Sequence, residues 1–308
     1  MFGQLLQSIR IFLACVLWPS TVSAAEIRTD PASHGVAAGA VLEGVIQAGD
    51  FEKFQKFILN GANAFQIYLA SPGGDLAEAM KIGLLVRLLK LSTVVPGKPL
   101  TNQAFESAAA EHGLASPKAD YQCASACFFV FVAGVHRSHD DRGPALIGIH
   151  RPSLSADALK RLSGDQAIAA NGQARTMVEN YLKAMGVPAK YAEMMYSDPG
   201  RRIRWIRNDD FEADLDGFIP QLRDWVDARC DKRSDIEKND RQPLKSKTVG
   251  EQTKSVDMSP SGNHGKEQSC LKQVQVDLAL RAYNEVIKRR NGQTAPLTPD
   301  KISPAPAK

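Results

Sequence analysis

The sequence predicts an α/β domain with a mostly parallel sheet, because strand-like and helix-like segments alternate along it. Apolar, β-rich runs at 38–46, 65–70 and 91–95 are separated by helical patterns at 51–59 and 76–90. A strand, a helix and a second strand in this order form a right-handed crossover that leaves the two strands parallel. The composition, 44% hydrophobic and 23% charged over 308 residues, is that of a globular chain.

The charge balance favours no particular class of partner. Lys and Arg number 38 against 34 Asp and Glu, which leaves a formal net charge of +4. Proteins that bind nucleic acid usually carry a denser basic stripe with interleaved aromatic residues. The folded part of this chain has no such stripe, so we expect no nucleic-acid partner.

Residues 1–24 are predicted to be a signal peptide. Arg10 precedes an apolar run at 11–18, and small residues follow that suit cleavage after Ala24 or Ala25. The run is much shorter than the roughly 20 residues that span a bilayer, so an uncleaved anchor is less favoured. The mature protein is therefore expected to be exported, either to a periplasm or outside the cell.

The first two helices have clear start signals. Asp50 is a suitable cap for the helix at 51–59, and Asn60-Gly61 ends it. The strand at 65–70 runs directly into the turn Ser71-Pro-Gly-Gly74, after which Asp75 caps the second helix. The turn therefore lies where a strand ends and a helix begins.

The predicted domain covers 36–228 and contains an insertion at 96–122. Prolines and glycines in the insertion surround a short helical stretch at 102–111. A buried helix at 124–133 and a strand at 145–149 follow. The rest of the domain is predicted to be helical at 157–162, 165–185 and 191–196, with a last strand near Trp205 and further short segments at 211–217 and 219–222.

Beyond Cys230 the composition changes. Segment 231–269 has hardly any large apolar residues, so it cannot offset the entropy of ordering and is predicted to be a disordered linker. Helical periodicity returns at 271–290, which predicts an amphipathic helix that packs on the domain or meets a partner or membrane surface. The proline-rich remainder, 291–308, is predicted to be a flexible tail.

Four cysteines remain after the signal peptide: Cys123, Cys127, Cys230 and Cys270. In an oxidising compartment an even set is expected to form disulfides, and four cysteines allow three connectivities. Nearness in sequence favours Cys123–Cys127 and Cys230–Cys270. Metal binding is less favoured because no pair has zinc-like spacing with a second pair to match, and no cofactor is indicated. His136 and His139 are expected on a solvated loop.

Ser125 and His150 are the candidate reactive residues. Ser125 lies at the predicted start of a buried helix, where unpaired backbone N–H groups can stabilise an oxyanion. His150 follows a strand and can serve as the base that a serine hydroxyl needs. Gly73 and Gly74 can bring backbone close to a substrate. Taken singly, each of these signals also fits a purely structural role.

Together these residues resemble the proteolytic subunit of Clp protease and its relatives in the ClpP/crotonase superfamily. The resemblance runs from about 38 to 222. It is carried by Ser71-Pro-Gly-Gly74, Cys123-Ala-Ser-Ala126, Ala133-Gly134 and Gly148-Ile-His-Arg-Pro152. It implies a fold of repeated ββα units with a mostly parallel sheet.

The resemblance also implies roles for individual residues. Ser125 becomes the nucleophile and His150 the general base, and an oxyanion hole is formed by Gly73 or Gly74 together with Ala126. The resemblance further implies a peptide or protein substrate. Family members stack into rings, so a homo-oligomer is one expectation. An exported protein is not expected to work with an ATP-dependent unfoldase.

The acid that orients the histidine is less clear. Family members place it shortly before a terminal motif that corresponds here to 212–217, but counting back from that motif reaches Trp205, which cannot serve. Counting forward from the histidine reaches Asp198, the residue that we predict. Asp209 and Asp210 are alternatives, and a serine–histidine dyad or an inactive site also stays open.

Three functional classes are compatible with the sequence. The first, which we favour, is an exported, ATP-independent serine peptidase or hydrolase. The second is a catalytically inactive interaction protein, which the uncertain acid and the long tail favour. The third is a crotonase-like acyl-thioester enzyme, and Ser125 and His150 count against it because that chemistry needs no serine nucleophile.

Overall fold

The computed structural model describes residues 24–32, 39–62, 64–99, 101–114, 121–154, 156–198, 202–230 and 262–291. Its strands are β1 (Glu26–Thr29), β2 (Gly39–Glu43), β3 (Gln66–Ala70), β4 (Ser92–Val95), β5 (Cys123–Ala124), β6 (His136–His139), β7 (Ile147–Ile149), β8 (Arg204–Trp205) and β9 (Gly217–Phe218). The predicted fold class is confirmed, since strands and helices alternate and most strand pairs in the larger sheet are parallel.

Two sheets make up the β-structure of the described chain. The larger has the order β1-β2-β3-β4-β6-β9, in which β2, β3, β4 and β6 are parallel and the two outer strands are antiparallel to their neighbours. The smaller has the order β5-β7-β8, with β5 parallel and β8 antiparallel to β7. A bridge between Ser71 and Cys123 joins the end of β3 to the smaller sheet.

The helices are α1 (Asp50–Phe57), α2 (Leu76–Leu88), α3 (Asn102–Glu111), α4 (Ala126–Phe131), α5 (Ala156–Arg161), α6 (Gly164–Ala184), α7 (Lys190–Ser197), α8 (Asn208–Asp214), α9 (Pro220–Cys230) and α10 (Gly262–Arg290). One π-helical turn, Ile58–Ala62, follows α1. Asp75 caps α2 by accepting a hydrogen bond from the backbone N–H of Glu78 at 2.9 Å.

The main core lies between the larger sheet and α2, α4 and α6. It is formed by buried apolar side chains that include Ile67, Ile82, Phe128, Phe131 and Val178. A smaller core lies on the other face of the sheet, under α3. The described part of the predicted insertion at 96–122 therefore covers the back of the sheet.

Two arginines join the C-terminal ends of α4 and α6. Arg137 is 2% exposed and donates to the carbonyls of Val132 at 2.5 Å and Met185 at 2.6 Å. Arg87 donates to the carbonyl of Ala133 at 2.7 Å and also reaches Met185. Burial and the nearby Arg87 charge lower the pKa of Arg137 to about 9, so it is still protonated at neutral pH. Cations at helix C-termini interact favourably with the helix dipole.

Some elements differ from the predictions. The sheet begins with β1 ahead of 36, where the domain was expected to start. The predicted solvated loop holding His136 and His139 is strand β6, in which the rings of these histidines lie edge-on against Phe218 and Phe211. A sequence of two histidines, an arginine and a serine lacks the apolar alternation by which a strand is recognised.

The terminal helix packs on the domain. Cys270 is bonded to Cys230, and the hydroxyl of Tyr283 donates to the carbonyl of Ala64 at 3.0 Å. The helix begins at Gly262, earlier than the predicted 271. The predicted signal peptide up to residue 23, the linker up to 261 and the tail from 292 lie outside the described residues. None of the helices in the described ranges is long and apolar enough to cross a membrane.

Candidate active site

Ser125 and His150 line the same open cleft, which has a volume of about 940 Å³. Its lining comes from the turn after β3, the start of α2, α5 and α6. Much of the lining is apolar or small, and it includes Leu76, Ala77, Phe129, Leu154 and Met177. The cleft therefore has a largely apolar surface beside Ser125 and His150.

Ser125 lies at a sharp bend between β5 and α4. Its φ is 57° and its ψ is −119°, a backbone conformation that residues with a Cβ rarely adopt. Its side chain makes no capping hydrogen bond to α4. Ser125 therefore does not act as a helix cap. The serine is half-buried and lines the cleft.

The pairing of β5 with β7 brings Ser125 towards His150. Ala124 pairs with Gly148, and the backbone N–H of Ser125 donates to the carbonyl of Gly148 at 2.9 Å. His150 follows two residues later, at the end of β7. Any side chain at Gly148 would collide with Ile203, so only glycine allows β8 to pack closely over this strand.

The imidazole of His150 has a defined partner on one side. Its Nδ1 lies 2.7 Å from the carbonyl oxygen of Arg151, a pure acceptor, so Nδ1 carries the proton in the neutral ring. The Nε2 atom is then the unprotonated one and can accept a proton. A backbone carbonyl thus occupies the position at Nδ1 that a carboxylate has in a serine–histidine–aspartate triad.

Gly73 touches the backbone that carries the serine. A Cβ on Gly73 would lie 2.6 Å from the Ser125 Cβ and 2.9 Å from the Ala126 nitrogen, and its φ of +108° also favours glycine. However, the N–H of Gly73 donates to the hydroxyl of Ser71 at 3.1 Å. This N–H is therefore engaged within the turn and is the weaker candidate for an oxyanion donor.

Gly74 and Ala126 are the better pair of candidate oxyanion donors. Neither backbone N–H has an acceptor among the described residues, and both residues line the cleft with Ser125. A Cβ on Gly74 would collide with the carbonyl oxygen of Ile46. The bond from the Ile46 N–H to the Gly73 carbonyl, at 2.8 Å, holds this turn against the segment after β2.

The three aspartates considered as acids differ in their surroundings. Asp198 is exposed at the C-terminal end of α7. Asp209 pairs with Arg207 and Asp210 with Lys190. The hydrogen bond of His150 is to a carbonyl rather than to any of these carboxylates, so the role of Asp198 stays a prediction.

Sequence reasoning gave no individual role to three residues that shape the site. Arg151 and Ser71 act through the contacts just described. Glu78, 5% exposed, accepts hydrogen bonds from the N–H groups of Gly49 at 3.1 Å and Phe51 at 3.0 Å, which fixes the turn beside the cleft. The sequence offered a signal for Ser71 alone. Ser and Thr side chains commonly hydrogen-bond the backbone two residues further on, as Ser71 does with the N–H of Gly73.

The cysteines flanking Ser125 are bonded to each other. Cys123 and Cys127 form a disulfide with their Cα atoms 5.2 Å apart, and Cys230 and Cys270 form the second. Both pairings are those that nearness in sequence favours.

No family model and no curated protein matches the sequence. Among solved structures, the chain is similar to the 1510-N membrane-bound stomatin-specific protease, with 16% identity, 60% of this chain and 80% of that one covered, and a TM-score of 0.35. It is similar to ClpP1 from Listeria monocytogenes at 14% identity, 55% and 82% coverage and a TM-score of 0.33.

The chain is also similar to human enoyl coenzyme A hydratase domain-containing protein 3, with 13% identity, 89% and 99% coverage and a TM-score of 0.34. The matches thus include two proteases and a protein that contains an enoyl coenzyme A hydratase domain. Likenesses at this level do not identify acting residues, so the roles of Ser125 and His150 depend on the geometry of this chain.

Proposed function

We propose that this protein is a serine hydrolase that cleaves peptide bonds with Ser125 as nucleophile and His150 as general base. The observation that carries the proposal is a serine in a strained bend, free of any capping bond, in one cleft with a histidine whose Nε2 can accept a proton. Strained conformations at such positions are characteristic of functional sites.

In the proposed reaction, Nε2 of His150 takes the hydroxyl proton as the Ser125 Oγ attacks the substrate carbonyl carbon. The C–O bond forms while the carbonyl becomes an oxyanion. Collapse of this intermediate breaks the C–N bond, and the imidazolium returns its proton to the leaving amine. Water then attacks the acyl carbonyl carbon with His150 again as the base, and the bond to the Ser125 Oγ breaks to release the acid.

The N–H groups of Gly74 and Ala126 serve as the oxyanion donors. They have no other acceptor among the described residues, so no existing hydrogen bond must break when the oxyanion forms. Donors fixed in advance in this way are often the largest single contribution to acyl-transfer catalysis. Removing one donor typically lowers kcat by a factor of roughly 100 to 1000.

The carbonyl of Arg151 orients His150 in this scheme, and Asp198 is the alternative orienting group. A carbonyl fixes the tautomer as an aspartate does, but it supplies no negative charge to stabilise the imidazolium. The resulting site is a serine–histidine dyad. We therefore expect slower turnover than that of a full triad.

The setting of the reaction is also part of the proposal. The protein is exported to a periplasm or outside the cell, acts without ATP or an unfoldase, and takes a peptide or protein substrate. Two disulfides in the described chain support an oxidising compartment. A homo-oligomer is compatible with this function.

Labelling with a fluorophosphonate tests the proposal, because this reagent phosphonylates activated serines with loss of fluoride. Wild type should be labelled on Ser125, and both Ser125→Ala and His150→Ala should lose the label. Ser107→Ala, an exposed serine on α3, is the matched control and should label normally. No label on folded wild type would contradict the proposal.

A catalytically inactive interaction protein is the second candidate. One observation favours it: within the described chain no carboxylate is hydrogen-bonded to His150. In that case wild type stays unlabelled although the cleft still binds a peptide. An acyl-thioester enzyme is the third candidate, and nothing in the cleft specifically favours it.

A further inference from the structure

We propose that the Cys123–Cys127 disulfide is a positioning element for Ser125, so that the oxidised chain holds the serine in its reactive conformation and the reduced chain does not. This inference rests on the proposed function of Ser125 as nucleophile. It assigns the disulfide a part in the site itself rather than in general stability.

The bond encloses the residue that it is proposed to hold. It joins cysteines four positions apart, and the three residues inside the ring are small: Ala124, Ser125 and Ala126. The middle one has the sparsely populated φ of 57°. A conformation of this kind persists only where the surrounding structure over-determines it.

The two sides of the bend are held differently. On the strand side, hydrogen bonds fix the backbone: Cys123 donates to Leu146 at 2.9 Å and Ala124 donates to Ser71 at 3.0 Å. On the helix side, the N–H groups of Ala126 and Cys127 have no acceptor among the described residues. The disulfide is therefore a cross-link, in addition to the chain itself, that ties the first turn of α4 to β5.

Burial makes the bond long-lived once it has formed. Both cysteines are 0% exposed, so a reductant reaches the sulfurs only when the bend opens. Formation removes two electrons and two protons from the thiols, which pass to a disulfide oxidant that becomes a dithiol. Such oxidants belong to the compartments in which exported proteins fold. Ser125 would therefore be held in its reactive conformation only after export.

The second disulfide provides a matched comparison. We compare Cys123→Ala/Cys127→Ala with Cys230→Ala/Cys270→Ala for the rate of fluorophosphonate labelling, under conditions where circular dichroism shows both variants folded. The first variant should label roughly 100-fold more slowly than wild type, the size of effect expected for a displaced catalytic group. The second should label at the wild-type rate. Equal rates for wild type and the first variant would overturn the proposal.

Hydrogen exchange gives a readout that does not need activity. In the first variant, amides of 124–128 should exchange faster than in wild type, while those of β2 and β3 stay unchanged. Unchanged exchange at 124–128 overturns the positioning role. If wild type itself is not labelled, the proposed function fails, and faster exchange confined to the bend still supports the disulfide as the brace of that bend.

Discussion

Ser125 has a backbone conformation that costs of order 1–3 kcal/mol, so contacts with its neighbours must hold it there. Gly73 is one of them, since a Cβ on Gly73 would lie only 2.6 Å from the serine Cβ. The residues of the site therefore constrain one another. A change at one of them should appear in the reactivity of the serine.

Gly73→Ala should reduce labelling of Ser125 by at least about 100-fold, because the new methyl group must displace the serine backbone. We also expect a loss of stability of about 1–3 kcal/mol from the positive φ. Gly172→Ala is the control: nothing lies within 4 Å of its added Cβ, and it lies in α6. This control should be neutral or stabilising by up to about 1 kcal/mol. Wild-type labelling by Gly73→Ala would contradict the close contact.

Asp198→Asn distinguishes the two groups that could orient His150. If the Arg151 carbonyl does so, the variant should label within about threefold of wild type. If Asp198 acts as in a triad, the rate should fall by orders of magnitude, up to about 10⁴-fold. The measurement is the second-order rate constant for fluorophosphonate labelling, with Asp224→Asn, an exposed aspartate on α9, as the control.

At the scale of elements, the cleft depends on how α1 and α2 are joined. The carboxylate of Glu78 on α2 accepts hydrogen bonds from two backbone N–H groups at the start of α1. It also accepts one from the Lys81 ammonium at 2.7 Å. The Lys81 hydrogen bond and the two backbone N–H groups lower the pKa of this carboxyl below its ordinary value, although burial opposes them. The turn that contacts Gly73 and Gly74 depends on this carboxylate.

Glu78→Gln should reduce stability at neutral pH by about 1–2 kcal/mol through weaker hydrogen bonds. Because the folded-state pKa is lowered, the contribution of Glu78 is complete above its ordinary pKa and is lost as pH falls through the folded value. Wild type should therefore lose more stability in acid than the variant does. Denaturant titrations between pH 7 and 3 measure this. Glu179→Gln, in an exposed pair with Arg175, should change little.

Whole-molecule stability depends more on the other disulfide. Cys230–Cys270 closes a loop of 40 residues and attaches α10 to the domain, whereas Cys123–Cys127 closes a loop of 4. Loop-closure entropy assigns them about 4 and about 2 kcal/mol, respectively. Removing the long-range bond should therefore lower the thermal midpoint more, while removing the short one should affect the serine more. A larger drop in midpoint for the short bond would contradict this division.

The sequence by itself determined the α/β class and many of the helices and strands, and the family resemblance put Ser125, His150 and the glycine turn in one predicted site. These features depend on local signals: apolar periodicity, capping residues, glycines and short spacings between motifs. It did not determine β6, whose polar residues become a strand only between β4 and β9, or β1, which lies ahead of the expected start.

Tertiary structure alone decided which groups at the candidate site are engaged in hydrogen bonds and which are open. It engaged the Gly73 N–H with Ser71 and left those of Gly74 and Ala126 open, and it gave His150 the carbonyl of Arg151. Both partners are near in sequence, but an N–H or a C=O is the same on every residue, so the sequence alone does not say which of them is engaged. The folded backbone decides this, for example in the turn after β3, where the Ile46 N–H donates to the Gly73 carbonyl.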